Sequence, residues 1–181
     1  MKQSGNYSEK TEFRSRASAR PSSAASATSP LLYELRSPGV ADGAAVYRLV
    51  QAIGGLELNS TYAYLLLCDR FADTCLLAFP REGEQAIDPA HGSAPVGLVL
   101  GFRPPATPEV IFVWQIGVHP SARGTGLGVS MLRALARAQA KHGVRFLEAH
   151  VGEDNAASEA VFRAFGRAVG AAVEIRDGYA A

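Results

Sequence analysis

The chain has little of what staples small folds or coordinates metals. Its 181 residues include two cysteines, Cys68 and Cys75, and one tryptophan, Trp114. Two thiols outside any C-x-x-C pair make neither a disulfide framework nor a zinc site, and they suit a reducing, cytoplasmic setting as packing residues. The four histidines, His91, His119, His142 and His150, show no ligand spacing, so no metal is expected. Charge of one sign is lacking too: 18 Lys and Arg stand against 17 Asp and Glu. Such a balance offers no field to recruit nucleic acid or a membrane surface. No apolar run approaches the ~20 residues of a membrane span. What is left is a soluble domain with a small-molecule partner, long enough to bury its own core.

Residues 1–30 are rich in Ser, Ala and Arg, with five basic residues (Lys2, Lys10, Arg14, Arg16, Arg20) and two acidic ones (Glu9, Glu12). That composition builds no packed core and reads as a disordered tail, with an organelle transit peptide as the alternative. Residues 31–181 read as one mixed α/β domain. LLYELR alternates as a strand does. Val46, Leu49, Val50 and Ile53 recur at helical spacing and stop at Gly54 and Gly55. Asn59 or Ser60 can cap a short helix through TYAYLLLCDRFA. CLLAF, VGLVLGFR and VIFVWQIGV read as strands, with the polar stretch 80–95 and PPATPE as connections. The helix LGVSMLRALARAQAKHG follows, its end marked by Lys141, His142 and Gly143. Then come the strand VRFLEAHV, a helix DNAASEAVFRAFG capped by Asp154 or Asn155 and stopped by Gly166, and a last strand AAVEIR.

Chemistry concentrates at HPSARGTGLG, residues 119–128, between a strand and a helix. Glycines there let backbone approach an anion, N–H groups point inward and Arg123 adds a charge. A Walker loop is excluded, because Gly128 is followed by Val129 and Ser130 and not by Lys and Ser/Thr. The dinucleotide fingerprint fails as well, since Gly124, Gly126 and Gly128 are spaced G-x-G-x-G. A plain turn stays open on the glycines alone.

The V-x-P-x-x-R-G-x-G-L-G run, followed one helix and one strand later by DNAASEAVFRAFG, resembles the acetyl-CoA site of the GNAT superfamily of N-acetyltransferases across residues 31–176. That resemblance implies the GNAT fold, a mixed central sheet flanked by helices, with acetyl-CoA as cosubstrate. It further implies a pyrophosphate loop at Arg123, Gly124, Thr125, Gly126 and Gly128, and a pantetheine arm lying against Ile116, Val118, Asn155, Ser158 and Phe162. Four blocks, LELNSTYAYLLLCDRFADTCLLA, GFRPP, FVWQIGVHPSARGTGLG and FLEAHV-x-x-DN-x-AS, resemble more narrowly the L-2,4-diaminobutyrate acetyltransferase family, which makes the N-acetyl precursor of the osmolyte ectoine. That implies a homodimer acting on L-2,4-diaminobutyrate. Two positions depart from the family pattern: Glu57 stands where Asp is usual, and His150 where a small residue is common. The family also continues into a closing strand with an acidic residue near the substrate amine, so the expectation is that this strand is missing or the site closes differently, through dimer contacts.

Acetyl transfer to an amine needs a neutral amine, a stabilised oxyanion and a proton for the thiolate. Glu57 and Glu148 are the candidates for holding the ammonium or anchoring a proton relay, and the backbone N–H near Val118 for the oxyanion. Many GNAT enzymes place a tyrosine in the helix after the Asn, where this chain has Val161 and Phe162. Water, Tyr62 or Tyr64 is then left to protonate the thiolate, packing on the helix face being the alternative for both tyrosines. Trp114 and Gln115 are expected to line the substrate pocket, Trp114 with plain core as its alternative. Asn59 and Ser60 are carboxylate donors or simple helix caps. Another small diamine or amino acid as acceptor, or a non-catalytic acyl-CoA-binding module, are the competing functions.

Overall fold

A computed structural model describes residues 10–16, 33–81, 94–152 and 154–177. Its elements are β1 (Lys10–Arg16), β2 (Tyr33–Arg36), α1 (Gly43–Ile53), α2 (Thr61–Arg70), β3 (Leu76–Pro80), β4 (Gly97–Phe102), β5 (Val110–Val118), α3 (Leu127–Ala140), β6 (Phe146–Gly152), α4 (Ala156–Val169) and β7 (Ala172–Asp177). The strands make one seven-stranded sheet in the order β2-β3-β4-β5-β6-β1-β7. Every neighbouring pair is antiparallel except β5 and β6, which run parallel.

Alternation along the strands sends side chains to two cores. On one face Val99, Ile111, Val113, Leu147 and Ala149 pack with Leu127, Met131, Leu132 and Leu135 of α3 and with Phe162 and Phe165 of α4. On the other, Leu77, Leu98 and Leu100 pack with Val46, Leu49, Val50 and Ile53 of α1 and with Tyr64, Leu67 and Cys68 of α2. Helix starts follow the expected capping chemistry. Ser60 caps α2, its Oγ accepting from the Ala63 N–H at 3.3 Å, and Asn155 caps α4, its Oδ1 accepting from the Ser158 N–H at 3.0 Å.

Two expectations are corrected here. Helix α4 does not stop at Gly166; it runs on to Val169 and closes on Gly170, whose φ of 65° suits a left-handed cap. Gly166 instead marks a close approach, because a Cβ there would collide with Val173 on β7. The tract 1–30 is not wholly without structure either: residues 10–16 form β1 and fill the place between β6 and β7. The signal for it is in KTEFRSR, where charged residues at 10, 12, 14 and 16 alternate with Thr11, Phe13 and Ser15 at the period of a strand. The rest of that tract, and most of the connection expected over 80–95, lie outside the described residues.

Candidate active site

The functional geometry begins where the parallel pair comes apart. The β5–β6 register runs from Val110↔Phe146 to Val113↔Ala149 and ends there. Both strands continue, to Val118 and Gly152, and each stays paired on its other edge, β5 with β4 and β6 with β1. A wedge therefore opens between Trp114–Val118 and His150–Gly152. Its cause lies in the β4–β5 ladder. The register shifts between Leu100 and Gly101, leaving Trp114 as an extra residue with no partner on β4, and such a bulge bends and twists its strand. Gly101 permits it, since a Cβ there would stand 2.6 Å from the Phe112 carbonyl.

Backbone direction in the wedge follows from one hydrogen bond. The His119 N–H donates to the Val96 carbonyl at 2.8 Å, toward the β4 side. Alternate residues of a strand point their N–H and C=O to opposite edges, so Ile116 and Val118 present theirs to the wedge. Those groups can pair with an extended, amide-bearing ligand as though it were a strand.

At the mouth of the wedge lies the glycine loop. Gly124 and Gly126 have φ of 77° and 76°, a region that favours glycine. Gly126 is the N-cap of α3 and supplies no side-chain cap, so the first-turn N–H groups stay available to an anion beside the positive end of the helix dipole. Thr125 steadies the loop by donating from Oγ1 to the Ala122 carbonyl at 2.8 Å. Gly128 is buried in the first turn of α3, where a Cβ would touch Val161 of α4 at 3.4 Å. Arg123 is not aimed out as a lone charge. Its Nη2 donates to the Ile53 carbonyl at the end of α1 at 2.7 Å and its Nε to the Val118 carbonyl at 3.3 Å.

The opposite side of the site is built from the segment between α1 and α2. The Glu57 carbonyl accepts from Gln115 Nε2 at 2.6 Å and from Asn59 Nδ2 at 3.2 Å. The Asn59 N–H donates to the Tyr64 hydroxyl at 3.1 Å. Because a backbone carbonyl can only accept, the first of these bonds fixes the Gln115 amide with its oxygen pointing elsewhere. That Oε1 is buried and has no hydrogen-bond partner among the described residues, an arrangement that suits a donor brought by a ligand. The ring of Trp114 lies 6.1 Å from that of Tyr64, and the ring of Phe112 lies 5.1 Å from His150 across the closed end of the wedge.

The structure thus gathers Glu57, Asn59, Ser60, Trp114, Gln115, Ile116, Val118, the 123–128 loop and the α4 start, Asn155 and Ser158, around one wedge, with Glu148 and His150 at its closed end. Three of the candidate residues differ sharply in exposure. Tyr64 is wholly buried, and its hydroxyl accepts from the Asn59 backbone N–H. Tyr62 is 72% exposed and half a turn from Tyr64, on the outer face of α2. Phe162 is buried in the core that α3 and α4 share with the sheet. Cys68 and Cys75 are buried free thiols whose pKa burial pushes up to about 11 and about 12, so neither is a nucleophile. Among the described residues no group of three or more His, Cys, Asp and Glu could hold a metal ion, and no helix is long and apolar enough to cross a membrane.

Known proteins resemble this chain in sequence and in fold. The Acetyltransferase (GNAT) family profile matches residues 45–166. The L-2,4-diaminobutyric acid acetyltransferase of Bordetella parapertussis is 45% identical over 141 residues, 77% of this chain and 70% of the relative. That of Streptomyces coelicolor is 38% identical over 142 residues, 78% of each chain. Among solved structures, the diaminobutyrate acetyltransferase EctA of Paenibacillus lautus, in complex with L-2,4-diaminobutyric acid and coenzyme A, matches with a TM-score of 0.66 and 38% identity over 75% of each chain. The wedge, the glycine loop and these likenesses agree: the chain belongs to the GNAT acetyltransferases and, within them, to the L-2,4-diaminobutyric acid acetyltransferase family.

Proposed function

We propose that the chain transfers the acetyl group of acetyl-CoA to the side-chain (N4) amine of L-2,4-diaminobutyrate, the acetylation that leads to ectoine. The observation that carries this reading is the backbone-lined wedge with the positive-φ glycine loop at its mouth. The loop follows directly on Val118, so the phosphate end of the coenzyme belongs there, and the pantetheine arm runs inward beside Val118 and Ile116. The thioester then lies toward the closed end. This moves the proposed oxyanion donor from the N–H of Val118 to that of Ile116, two residues deeper, while Val118 keeps an arm-binding role. Asn155 commits its Oδ1 to the α4 cap and has Nδ2 to offer the arm.

The acceptor enters from the side of Glu57, Trp114 and Gln115. An alkyl ammonium has a pKa near ~10, so only about one part in a thousand is neutral at pH 7, and a relay must remove its proton. Glu148, beside the closed end, anchors that relay. The exposed Glu57 carboxylate and the Gln115 Oε1 hold the α-ammonium away from the thioester, with Asn59 and Ser60 on the carboxylate. The amine nitrogen then bonds the acetyl carbon, the carbon–sulfur bond breaks, and the leaving thiolate takes its proton from water. With a thiol pKa near ~8.5 it needs no side-chain acid.

A homodimer in the cytoplasm, serving osmoprotection, completes the proposal. Family membership supports the dimer and ectoine itself the osmoprotection, and two reduced, buried cysteines suit the compartment. NMR of the product formed from wild-type protein, acetyl-CoA and diaminobutyrate tests the reaction. Acetyl on N4 supports it; acetyl on the α-nitrogen, or no product, overturns it. Light scattering at micromolar concentration tests the dimer.

A further inference from the structure

The bulge in β5 does more than open the wedge. Neighbouring residues of a regular strand point to opposite faces. Ile111 and Val113 lie in the core shared with α3 and α4, and Ile116 and Val118 pack against that same core. Between Val113 and Ile116 the chain takes three steps where two would keep the alternation. Trp114 packs against the core of α1 and α2, and Gln115 donates to the Glu57 carbonyl between those helices at 2.6 Å. Both side chains therefore stand on one face, the face from which the acceptor enters, and the extra residue of the bulge is what turns them there together.

On its far side the bulge is held by a buried hydroxyl. The β3–β4 register runs from Ala78↔Gly97 to Leu76↔Val99 and ends there; two residues further on it would set Thr74 opposite Gly101. The Thr74 N–H is spent elsewhere, on the Phe71 carbonyl of the turn before β3, at 2.9 Å. Its Oγ1 lies 2.9 Å from that same carbonyl and 2.7 Å from the carbonyl of Gly101. A hydroxyl has one proton to donate, and the nearer Gly101 oxygen is the one the Thr74 N–H leaves unserved. Cys75 adds the weak donor of its Sγ to that oxygen at 3.6 Å. The turn is fixed in its own right to α3, because Gln139 Nε2 donates to the Asp73 carbonyl at 2.6 Å. Thr74, Cys75 and Gln139 are all buried. The Gly101 peptide is thus clamped between β5 and this turn, a Cβ there standing 2.6 Å from the Phe112 carbonyl and 3.4 Å from that of Thr74.

We infer that Thr74 is a positioning residue for the acceptor: by holding the Gly101 carbonyl, its hydroxyl fixes the bulge that turns Trp114 and Gln115 together toward the amino-acid substrate. This rests on the acetyl-transfer reading and deepens it. Thr74 acts only through the backbone of β4 and β5. Regular rungs from Leu100↔Gln115 to Gly97↔Val118 lie between the bulge and the coenzyme loop. A disturbance at Gly101 therefore reaches Trp114 and Gln115 first and the loop last.

The one tryptophan of the chain is the bulge residue itself, so its fluorescence reads the bulge directly. Thr74→Val keeps the shape, removes the donor and sets a methyl group against the Gly101 carbonyl. It should change the Trp114 emission and raise the KM for diaminobutyrate by about tenfold, because a binding group misplaced by about 1 Å costs up to about 10²-fold. Acetyl-CoA affinity by calorimetry should stay that of wild type. Thr74→Ser, which keeps a hydroxyl, should restore both the emission and the KM. If Thr74→Val fails to fold, Thr74→Ala, which removes the donor without adding the methyl, decides the matter on the same readouts. A merely structural threonine would lower the melting temperature and leave emission and KM unmoved, or would weaken both ligands alike. Either result overturns the inference while the acetyl-transfer reading stands. A wild-type protein that binds coenzyme A but does not acetylate diaminobutyrate overturns both.

Discussion

The two sides of the wedge are made of different materials. The side proposed for the coenzyme offers backbone: the edges of β5 and β6, the first-turn N–H groups of α3, and glycines whose φ of 77° and 76° no bulky residue adopts comfortably. The side proposed for the acceptor offers side chains gathered about the Glu57 carbonyl, to which Gln115 of β5 and Asn59 of the α1–α2 segment both donate. A backbone site tolerates change everywhere except at its glycines, whereas a side-chain site can be retuned one residue at a time. The same coenzyme can therefore serve many acceptors on one fold.

The largest expected effect attacks the backbone side. Gly126→Val forces a β-branched residue into the left-handed region, a strain of about 1–2 kcal/mol before any clash with the ligand. Acetyl-CoA affinity by calorimetry should fall at least about tenfold with the circular dichroism spectrum retained. A side-chain site for the pyrophosphate would leave it unchanged.

Glu57→Gln attacks the other side. It keeps the shape and the backbone carbonyl but removes the charge, so kcat/KM for diaminobutyrate should fall about tenfold, the equivalent of 1.4 kcal/mol, while acetyl-CoA affinity hardly moves. Wild-type efficiency would make Glu57 a solvated loop residue and leave the ammonium to Gln115 and Glu148.

Arg123 sharpens the comparison, because it joins the sides by bonding the Ile53 and Val118 carbonyls. Arg123→Ala should weaken acetyl-CoA and raise the KM for diaminobutyrate together, each by a few-fold, since a largely exposed charged contact is worth about 1 kcal/mol. An effect on acetyl-CoA alone would return Arg123 to a phosphate ligand.

The smallest effect is on stability. Arg36 donates to both carboxylate oxygens of Asp42 at 2.8 Å, and this bond, with the Gly39 N–H, holds the Asp42 pKa below its ordinary value of 3.8. The folded pKa is the lower one, so the stabilisation is fully present above the unfolded value and disappears as pH falls through the folded one. Asp42→Asn should cost under about 1 kcal/mol at pH 7, because the pair is partly exposed. The cost should vanish in thermal melts on the acid side, below the ordinary carboxylate range.

The glycine loop and most elements were legible in the sequence because they rest on local rules: a period of 3.6 or 2, a cap, a glycine where φ turns positive. The bulge at Trp114 was not, since nothing local announces that β4 pairs Leu100 with Gln115 and then Gly101 with Val113. Tyr62 and Tyr64 were equivalent in sequence and are opposite in space, one exposed and one wholly buried. Only the packing of α2 on the sheet separates them. β1 was hidden by its neighbours: seven alternating residues sit in a tract whose overall composition is that of a tail.

The central claim, one acetyl group moved from a backbone-held coenzyme to one chosen amine, is tested most directly by thiol release from acetyl-CoA against a panel of amines. The protein's own cysteines are buried and do not obscure that signal. Diaminobutyrate should win in kcat/KM by at least about tenfold over its homologues one methylene shorter and longer and over diamines lacking the carboxylate, each decade being 1.4 kcal/mol. Equal rates across the panel, a different winner, or coenzyme binding without any thiol release would contradict it.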